Sequence, residues 1–212
     1  MSPRPRKVSD EDVFAATYRA MNRFGPGELT LAQIAAEAGV TAGALSQRFG
    51  SKRQLLLSLA EGAARSAGDF IRELQAAHRS PLAAIRAYAE CMAHLAESPA
   101  ALARNLAYLQ IDLADPDFRG HLAAQARATR QGLQALLDTA VSASELSRNT
   151  DTVRLARTIE VTLNGALLTW AFYHDGTSAR WMRDNVDAVL APHLPLRRKP
   201  RTANHSRPKA GK

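Results

Sequence analysis

The sequence TLAQIAAEAGVTAGALSQRF at residues 30–49 decides the fold of the N-terminal part of the chain. Thr30 and Gln33 have the spacing of a capping box, in which each side chain binds a free backbone N–H of the other residue. Apolar residues follow at helical spacing, and Gly39 can adopt the left-handed conformation that ends a helix. The pattern predicts a helix that ends before Gly39, a tight turn, and a second helix that begins after Thr41.

The first turn of this second helix carries almost no side chains. It consists of Ala42, Gly43 and Ala44, although a glycine inside a helix costs about 1 kcal/mol relative to alanine. Another amphipathic helix begins near Ser9, so three short helices precede residue 50. Three such helices with a tight turn before the last match a helix-turn-helix, whose second helix enters the major groove by its N-terminal end. A first turn without bulk lets the backbone approach phosphates and bases.

Polar side chains around this turn are the candidates for contacting DNA. The free N–H groups after Thr41 suit a phosphate, Gln47 can pair with adenine, and Lys52 at the next helix start can bind a phosphate. The alternative is that the small residues only permit close helix packing and the polar ones are ordinary surface residues. The predicted DNA-binding residues are Arg4, Arg6, Thr30, Thr41, Ala42, Gly43, Ala44, Ser46, Gln47, Arg48 and Lys52.

Residues 30–49, followed by Ser51-Lys52 and a leucine-rich helix, resemble the DNA-binding head of TetR-family transcriptional regulators. The resemblance covers about residues 10–57. It implies a homodimer with a nine-helix, Ω-shaped fold, a palindromic DNA operator and a small-molecule pocket in the body. The chain departs from the family at Ser46-Gln47-Arg48, where an aromatic-His-aromatic run is common, and at Ala42, where a basic residue often follows the N-cap.

Apolar residues at helical spacing continue to residue 190, and no segment alternates as a strand would. The pattern predicts an all-α fold of nine helices, one of which runs from Pro81 to Glu97. We predict four parts, comprising a basic N-terminal arm, a helix-turn-helix domain, an effector-binding and dimerisation domain, and a disordered basic tail. Their ranges are 1–8, 9–54, 55–194 and 195–212.

The positive charge of the chain is concentrated at its two ends. Three basic residues precede Val8 and seven follow Pro195, and removing these ten charges from the formal net charge of +8 leaves −2 between them. Basic tails attract nucleic acid weakly and with strong salt dependence, or serve only for solubility. Cys91 is the single cysteine, which suits a reducing compartment. With no secretory signal and no membrane span, the sequence predicts a cytoplasmic protein without membrane partners.

Polar or aromatic residues on apolar faces of the body helices are the candidates for an effector pocket. This lining is mostly apolar with few charges, which favours an apolar or aromatic effector. The candidates are Tyr88, Cys91, Met92, Leu95, Asn105, Tyr108, Phe118, Thr129, Thr162 and Trp170. The family resemblance places the dimer interface on the last two helices, with intrachain core as the alternative. The candidates there are Gly165, Ala166, Trp181, Met182, Val186 and Val189.

These observations predict a ligand-responsive repressor that binds a palindromic operator as a dimer and leaves it when a small effector binds. No P-loop, nucleophile elbow or HExxH occurs, so no catalytic residue, cofactor or metal site is predicted. One alternative is a ligand-independent, nucleoid-type DNA binder that depends on its basic tail. Another is a helical small-molecule carrier or enzyme with a vestigial head.

Overall fold

A computed structural model describes residues 8–195. Within that range the chain forms nine α-helices, two short 3-10 segments and no strand, which confirms the predicted all-α fold. The α-helices are α1 (Asp10–Arg23), α2 (Leu31–Ala38), α3 (Ala42–Phe49), α4 (Lys52–Ala77), α5 (Pro81–Met92), α6 (Pro99–Ala114), α7 (Pro116–Ser142), α8 (Thr152–Tyr173) and α9 (Ser178–Leu190). The 3-10 segments are Ala93–Ala96 and Ala191–His193.

The short N-terminal helices begin and end at residues that the sequence marks. Thr30 and Gln33 form the reciprocal capping box at the start of α2, and Gly39 ends that helix with a φ of 67°. Thr41 Oγ1 accepts the backbone N–H of Ala44 at 3.1 Å, which caps α3. Because these interactions are local, the helix-turn-helix forms where the sequence predicts it.

The helix predicted from Pro81 to Glu97 is shorter in the structure. It ends at Met92 and is followed by the 3-10 segment Ala93–Ala96. The backbone stays right-handed helical as far as Glu97. Pro99 explains why it goes no further, since proline disfavours helical backbone in the residue before it. That residue, Ser98, is extended and caps α6 by accepting the N–H of Ala101.

Two apolar cores hold the helices together. The head core is formed by α1 to α3 and the start of α4, and includes the buried residues Ile34, Leu45 and Leu55. The larger body core is formed by the remaining helices around Leu137 and Leu163. Each fully buried residue of this kind contributes roughly 1.5–3 kcal/mol.

Helices α4 and α7 approach each other closely at Gly132. A Cβ atom at this position would lie 2.9 Å from both Cβ and Cγ2 of Ile71. The side chain of Ile71 is branched next to its backbone and is 2 % exposed, so it has little room to move. The absence of a side chain at Gly132 therefore sets the separation of the two helices.

We expect Gly132→Ala to lower the free energy of unfolding by about 1 kcal/mol, because overpacking costs ~1–3 kcal/mol and the better helix propensity of alanine returns ~1 kcal/mol. Gly120→Ala in the same helix is the matched control, since a Cβ there meets nothing within 4 Å. The control should raise the stability by up to about 1 kcal/mol. Urea unfolding measures both changes, and equal stabilisation by the two substitutions would contradict the close approach.

Candidate DNA-binding helix and effector cavity

The N-terminal turn of α3 is open to solvent in the described structure. Thr41, Gly43 and Ala44 are exposed and Ala42 is half-buried. Leu45 is 1 % exposed and anchors the helix to the head core. A surface of this shape, with free N–H groups and little side-chain bulk, can approach a phosphate backbone closely.

The polar residues that follow on α3 are all exposed, but they differ in whether they bind other groups of the protein. The structure describes no hydrogen bond of the Gln47 side chain, whereas Ser46 Oγ donates to the carbonyl oxygen of Gly50 at 3.2 Å. The Arg48 guanidinium donates to the carbonyl oxygen of Val8 at 2.8 Å and pairs with the carboxylate of Asp10. Arg48 is thus tied to the start of α1, which the sequence did not predict.

Lys52 is also committed within the chain. Its Nζ donates to the carbonyl oxygens of Leu29 at 2.7 Å and of Pro26 at 3.3 Å, so the ammonium closes the turn between α1 and α2. The sequence predicted a phosphate ligand at Lys52, and the ammonium has one N–H donor left for that contact. The predicted contacts of Arg4 and Arg6 lie outside the described residues.

A cavity of about 830 Å³ lies between the body helices and the head. Its walls come from α1 and from α4 to α8, and most of the lining side chains are apolar. The sequence-predicted residues that line it are Tyr88, Met92, Leu95, Asn105, Tyr108, Phe118 and Thr129. The volume lies within the range of small-molecule sites, about 300–1,000 Å³.

Three of the residues predicted for the effector pocket do not line this cavity. Trp170 is buried in the body core, where its Nε1 donates to the carbonyl oxygen of Gly176 at 3.3 Å. Thr162 follows the cavity-lining Glu160 by two residues. At about 100° per residue it therefore lies about 200° around α8 from Glu160 and faces away from the cavity. Cys91 is half-buried on α5 outside the lining. An apolar helix face predicts burial but does not identify which of two neighbouring spaces it faces.

The cavity holds more charge than the sequence predicted. Its charged lining residues are Lys52, Arg53, Asp112, Asp115 and Glu160. Glu160 pairs with Arg130 at 2.6 Å. Burial raises the pKa of Tyr88 to about 12, with the negative charge of Glu160 as a second cause. Hydrogen bonds from Arg53 lower the pKa of Asp115. A single acidic residue among the apolar residues of α8 was the available sequence signal for Glu160.

The cavity is connected to the DNA-binding head by direct contacts. Tyr18 and Met21 of α1 form part of its wall. The hydroxyl of Tyr108 donates to the carbonyl oxygen of Phe24 at 2.9 Å, and Arg104 Nε donates to that of Asn22 at the same distance. Burial raises the pKa of Tyr108 to about 12. Helix α6 therefore forms part of the cavity wall and also contacts the end of α1.

An exposed apolar stripe runs along α8. It comprises Val161, Gly165, Leu168 and Phe172, which recur every three or four residues and so share one face of the helix. Leu168 also lines the cavity, at the edge of the stripe. Phe172 is 75 % exposed and Val161 is 64 % exposed. Large apolar residues in a contiguous exposed row mark a contact surface more often than isolated ones do.

Some of the residues predicted for the dimer interface belong to the core of a single protomer. Ala166, Met182 and Val186 are buried in the body core, which corresponds to the intrachain alternative. Trp181 and Val189 are half-buried against the same core. Gly165 is exposed and lies in the stripe.

Two family models match the chain over most of the described residues. Residues 13–59 match the model of bacterial regulatory proteins of the tetR family. Residues 81–186 match the model of the tetracyclin repressor-like C-terminal domain. The chain belongs to the TetR family. It is therefore a transcriptional regulator that binds DNA through its helix-turn-helix.

Solved structures with the TetR fold cover nearly the whole chain. A TetR regulator from Haloarcula marismortui has a TM-score of 0.68 at 18% identity, over 88% of this chain and 98% of its own. The TetR regulator SCO0520 from Streptomyces coelicolor has a TM-score of 0.67 at 22% identity, over 89% of this chain and 99% of its own. SmeT, the repressor of the Stenotrophomonas maltophilia multidrug efflux pump SmeDEF, has a TM-score of 0.62 at 20% identity, over 95% of this chain and 98% of its own. At these identities the likeness concerns the fold alone.

No curated protein sequence matches this TetR-family chain. Among residues 8–195, no helix combines the length and apolar character that a bilayer span requires. Over the same range, no three His, Cys, Asp or Glu side chains are grouped so that they could hold a metal ion.

Proposed function

We propose that this TetR-family regulator is a homodimeric repressor that a small molecule releases from a palindromic operator. The observation that carries the proposal is the cavity, because Tyr18 and Met21 of the head form its wall together with body helices. A molecule bound there contacts both parts of the protein. Its binding energy can therefore depend on how the head is oriented, which is the requirement for coupling between two sites.

Dimerisation is supported by the exposed stripe on α8. One helix-turn-helix contacts too few base pairs for useful specificity, whereas two heads about 34–36 Å apart occupy successive major grooves of a palindrome. A two-fold contact through Val161, Leu168 and Phe172 would bury apolar area that one protomer leaves in water. Gly165 at the centre of the stripe leaves room for a close approach.

In the bound state the first turn of α3 enters the major groove. Thr41, Ala42 and Gly43 bring backbone N–H groups to a phosphate, Ala44 adds little bulk beside them, and Gln47 reaches a base edge. Ser46 and Arg48 lie beside it, and Thr30 begins the helix that crosses the backbone. Occupation of the cavity favours a head separation that no longer fits two half-sites, so affinity falls. Lys52 supports DNA binding by closing the turn between α1 and α2 as well as by its positive charge.

The cavity favours an effector with a large apolar part, since aliphatic and aromatic side chains dominate its walls. SmeT has been solved in complex with triclosan, and this structure has a TM-score of 0.64 to the chain at 19% identity. Triclosan is therefore a reasonable first probe within a panel of aromatic compounds.

The test begins with the operator, identified by sequencing the genomic fragments that the full-length protein retains. Fluorescence anisotropy then measures operator affinity with and without the panel. We expect at least one cavity-binding compound to weaken operator binding about 10-fold, which corresponds to ~1.4 kcal/mol of coupling. Compounds that saturate the cavity and leave operator affinity unchanged would contradict the proposal.

Gln47→Ala tests the base contact. We expect the ratio of operator to random-sequence affinity to fall about 10-fold, because a good bidentate side chain contributes ~1–3 kcal/mol of discrimination. Gln75→Ala is the control, since Gln75 is exposed on α4 in the body. Anisotropy titrations on both DNAs measure the ratio. If Gln47→Ala weakens both DNAs equally, Gln47 does not contact a base.

A further inference from the structure

The charged groups that line the cavity have partners within the chain, with one exception. Lys52 is held by two backbone carbonyls. Arg53 pairs with Asp115 at 2.7 Å and with Asp117 at 2.8 Å. Glu160 pairs with Arg130. Among residues 8–195, no hydrogen bond or ion pair is found for the carboxylate of Asp112.

The environment of Asp112 makes this charge costly. The residue is half-buried, and burial raises the pKa of its carboxyl, with the negative charge of Asp115 as the second cause. Asp112 also contributes to raising the pKa of Tyr18, after burial of that phenol, and both residues line the cavity. Three carboxylates and two cationic side chains line the cavity, which leaves one negative charge in excess.

An occupant of the cavity changes the cost of this charge according to its own charge. A neutral apolar molecule would remove water from Asp112 and provide no partner in exchange, which costs free energy. An anion would add repulsion. A cation would compensate the carboxylate, and the ring of Tyr18 in the wall of the same cavity can add a cation–π contact.

We propose that the cavity selects amphipathic monocations, in which one protonated amine pairs with Asp112 and an aromatic or alkyl body fills the apolar walls. This inference rests on the proposed function of the cavity as an effector site and specifies its ligand class. Asp112 lies on α6 and Tyr18 on α1. The ammonium therefore sits at the junction between the body and the DNA-binding head, where its binding affects the head most directly.

The test uses three probes with one skeleton, which are diphenylpropylamine, diphenylpropanol and diphenylpropanoate. Calorimetric titration of the full-length protein at neutral pH measures their affinities. We expect the amine to bind at least about 10-fold more tightly than the alcohol, and the carboxylate to bind most weakly. In Asp112→Asn the amine should fall to within about threefold of the alcohol, since the substitution removes the charge and keeps the shape.

Asp175→Asn is the matched control, because it removes one carboxylate from an exposed position outside the cavity lining. It should preserve the preference for the amine, and thermal melts of both variants check that each is folded. Equal affinities of amine and alcohol in the unaltered protein, or a preference that survives in Asp112→Asn, would overturn the inference.

The outcomes also separate this inference from the proposed function. If the neutral alcohol binds as tightly as the amine and releases the operator, the repressor proposal holds and cation selection fails. If the amine binds in an Asp112-dependent way and operator affinity does not change, cation selection holds and ligand-released repression fails.

Discussion

Replacing Gly43 with glutamate is expected to weaken operator binding by at least about 100-fold, or ~2.7 kcal/mol, and to leave the fold intact. In the proposed complex this position lies against the phosphate backbone. Two like charges about 4 Å apart repel by ~4 kcal/mol at an effective dielectric constant of about 20. The protein itself tolerates the change, since a Cβ at Gly43 meets only Thr41 Oγ1 at 3.9 Å. A carboxylate in the first turn of a helix is favourable by ~0.3–1 kcal/mol.

The Gly43→Glu variant should therefore melt at the same temperature as the unaltered protein or slightly above it. Gly120→Glu carries the same change of residue and charge to an exposed position on α7 where a Cβ meets nothing within 4 Å. It should bind the operator within about threefold of the unaltered protein. Anisotropy titration measures both variants. Near-normal operator binding by folded Gly43→Glu would show that the start of α3 does not face DNA.

Val161→Glu is expected to raise the dissociation constant of the homodimer by at least about 100-fold. In a two-fold contact through the α8 stripe, the same residue appears on both helices, so two carboxylates would be buried in an apolar interface without partners. Operator affinity should fall when the dimer is lost, because each head then binds its half-site without being linked to a second bound head. Sedimentation velocity over a range of concentrations measures the dimer, and anisotropy measures the operator complex.

Val153→Glu is the matched control for this experiment. Val153 lies on the same helix and is 60 % exposed, close to the 64 % of Val161. It occupies the first turn of α8, beyond the exposed polar residues Arg154 and Arg157 that bound the stripe. The control should remain dimeric. Loss of the dimer in Val153→Glu but not in Val161→Glu would move the interface away from the stripe.

The sequence by itself determined the helices and the start of the DNA-binding helix. Capping at Thr30 and Thr41 and the left-handed Gly39 depend on residues within a few positions of each other. Such interactions can be deduced from spacing, because the chain geometry places the partners together whatever the rest of the fold does. For the same reason, the small first turn of α3 could be predicted, and it is exposed as its proposed role requires.

Only the tertiary structure decided the roles of residues whose partners are distant in sequence. Lys52 closes a turn 26 residues earlier, and Arg53 reaches carboxylates more than 60 residues later. Helix α8 has apolar residues toward the core, toward the cavity and toward solvent, so Trp170, Leu167 and Phe172 look alike in a helical pattern and differ in position. Periodicity records that a face is apolar, whereas the neighbouring helices determine what that face contacts. For that reason the sequence specified the DNA-binding helix well, while the cavity and the stripe depended on how the helices pack.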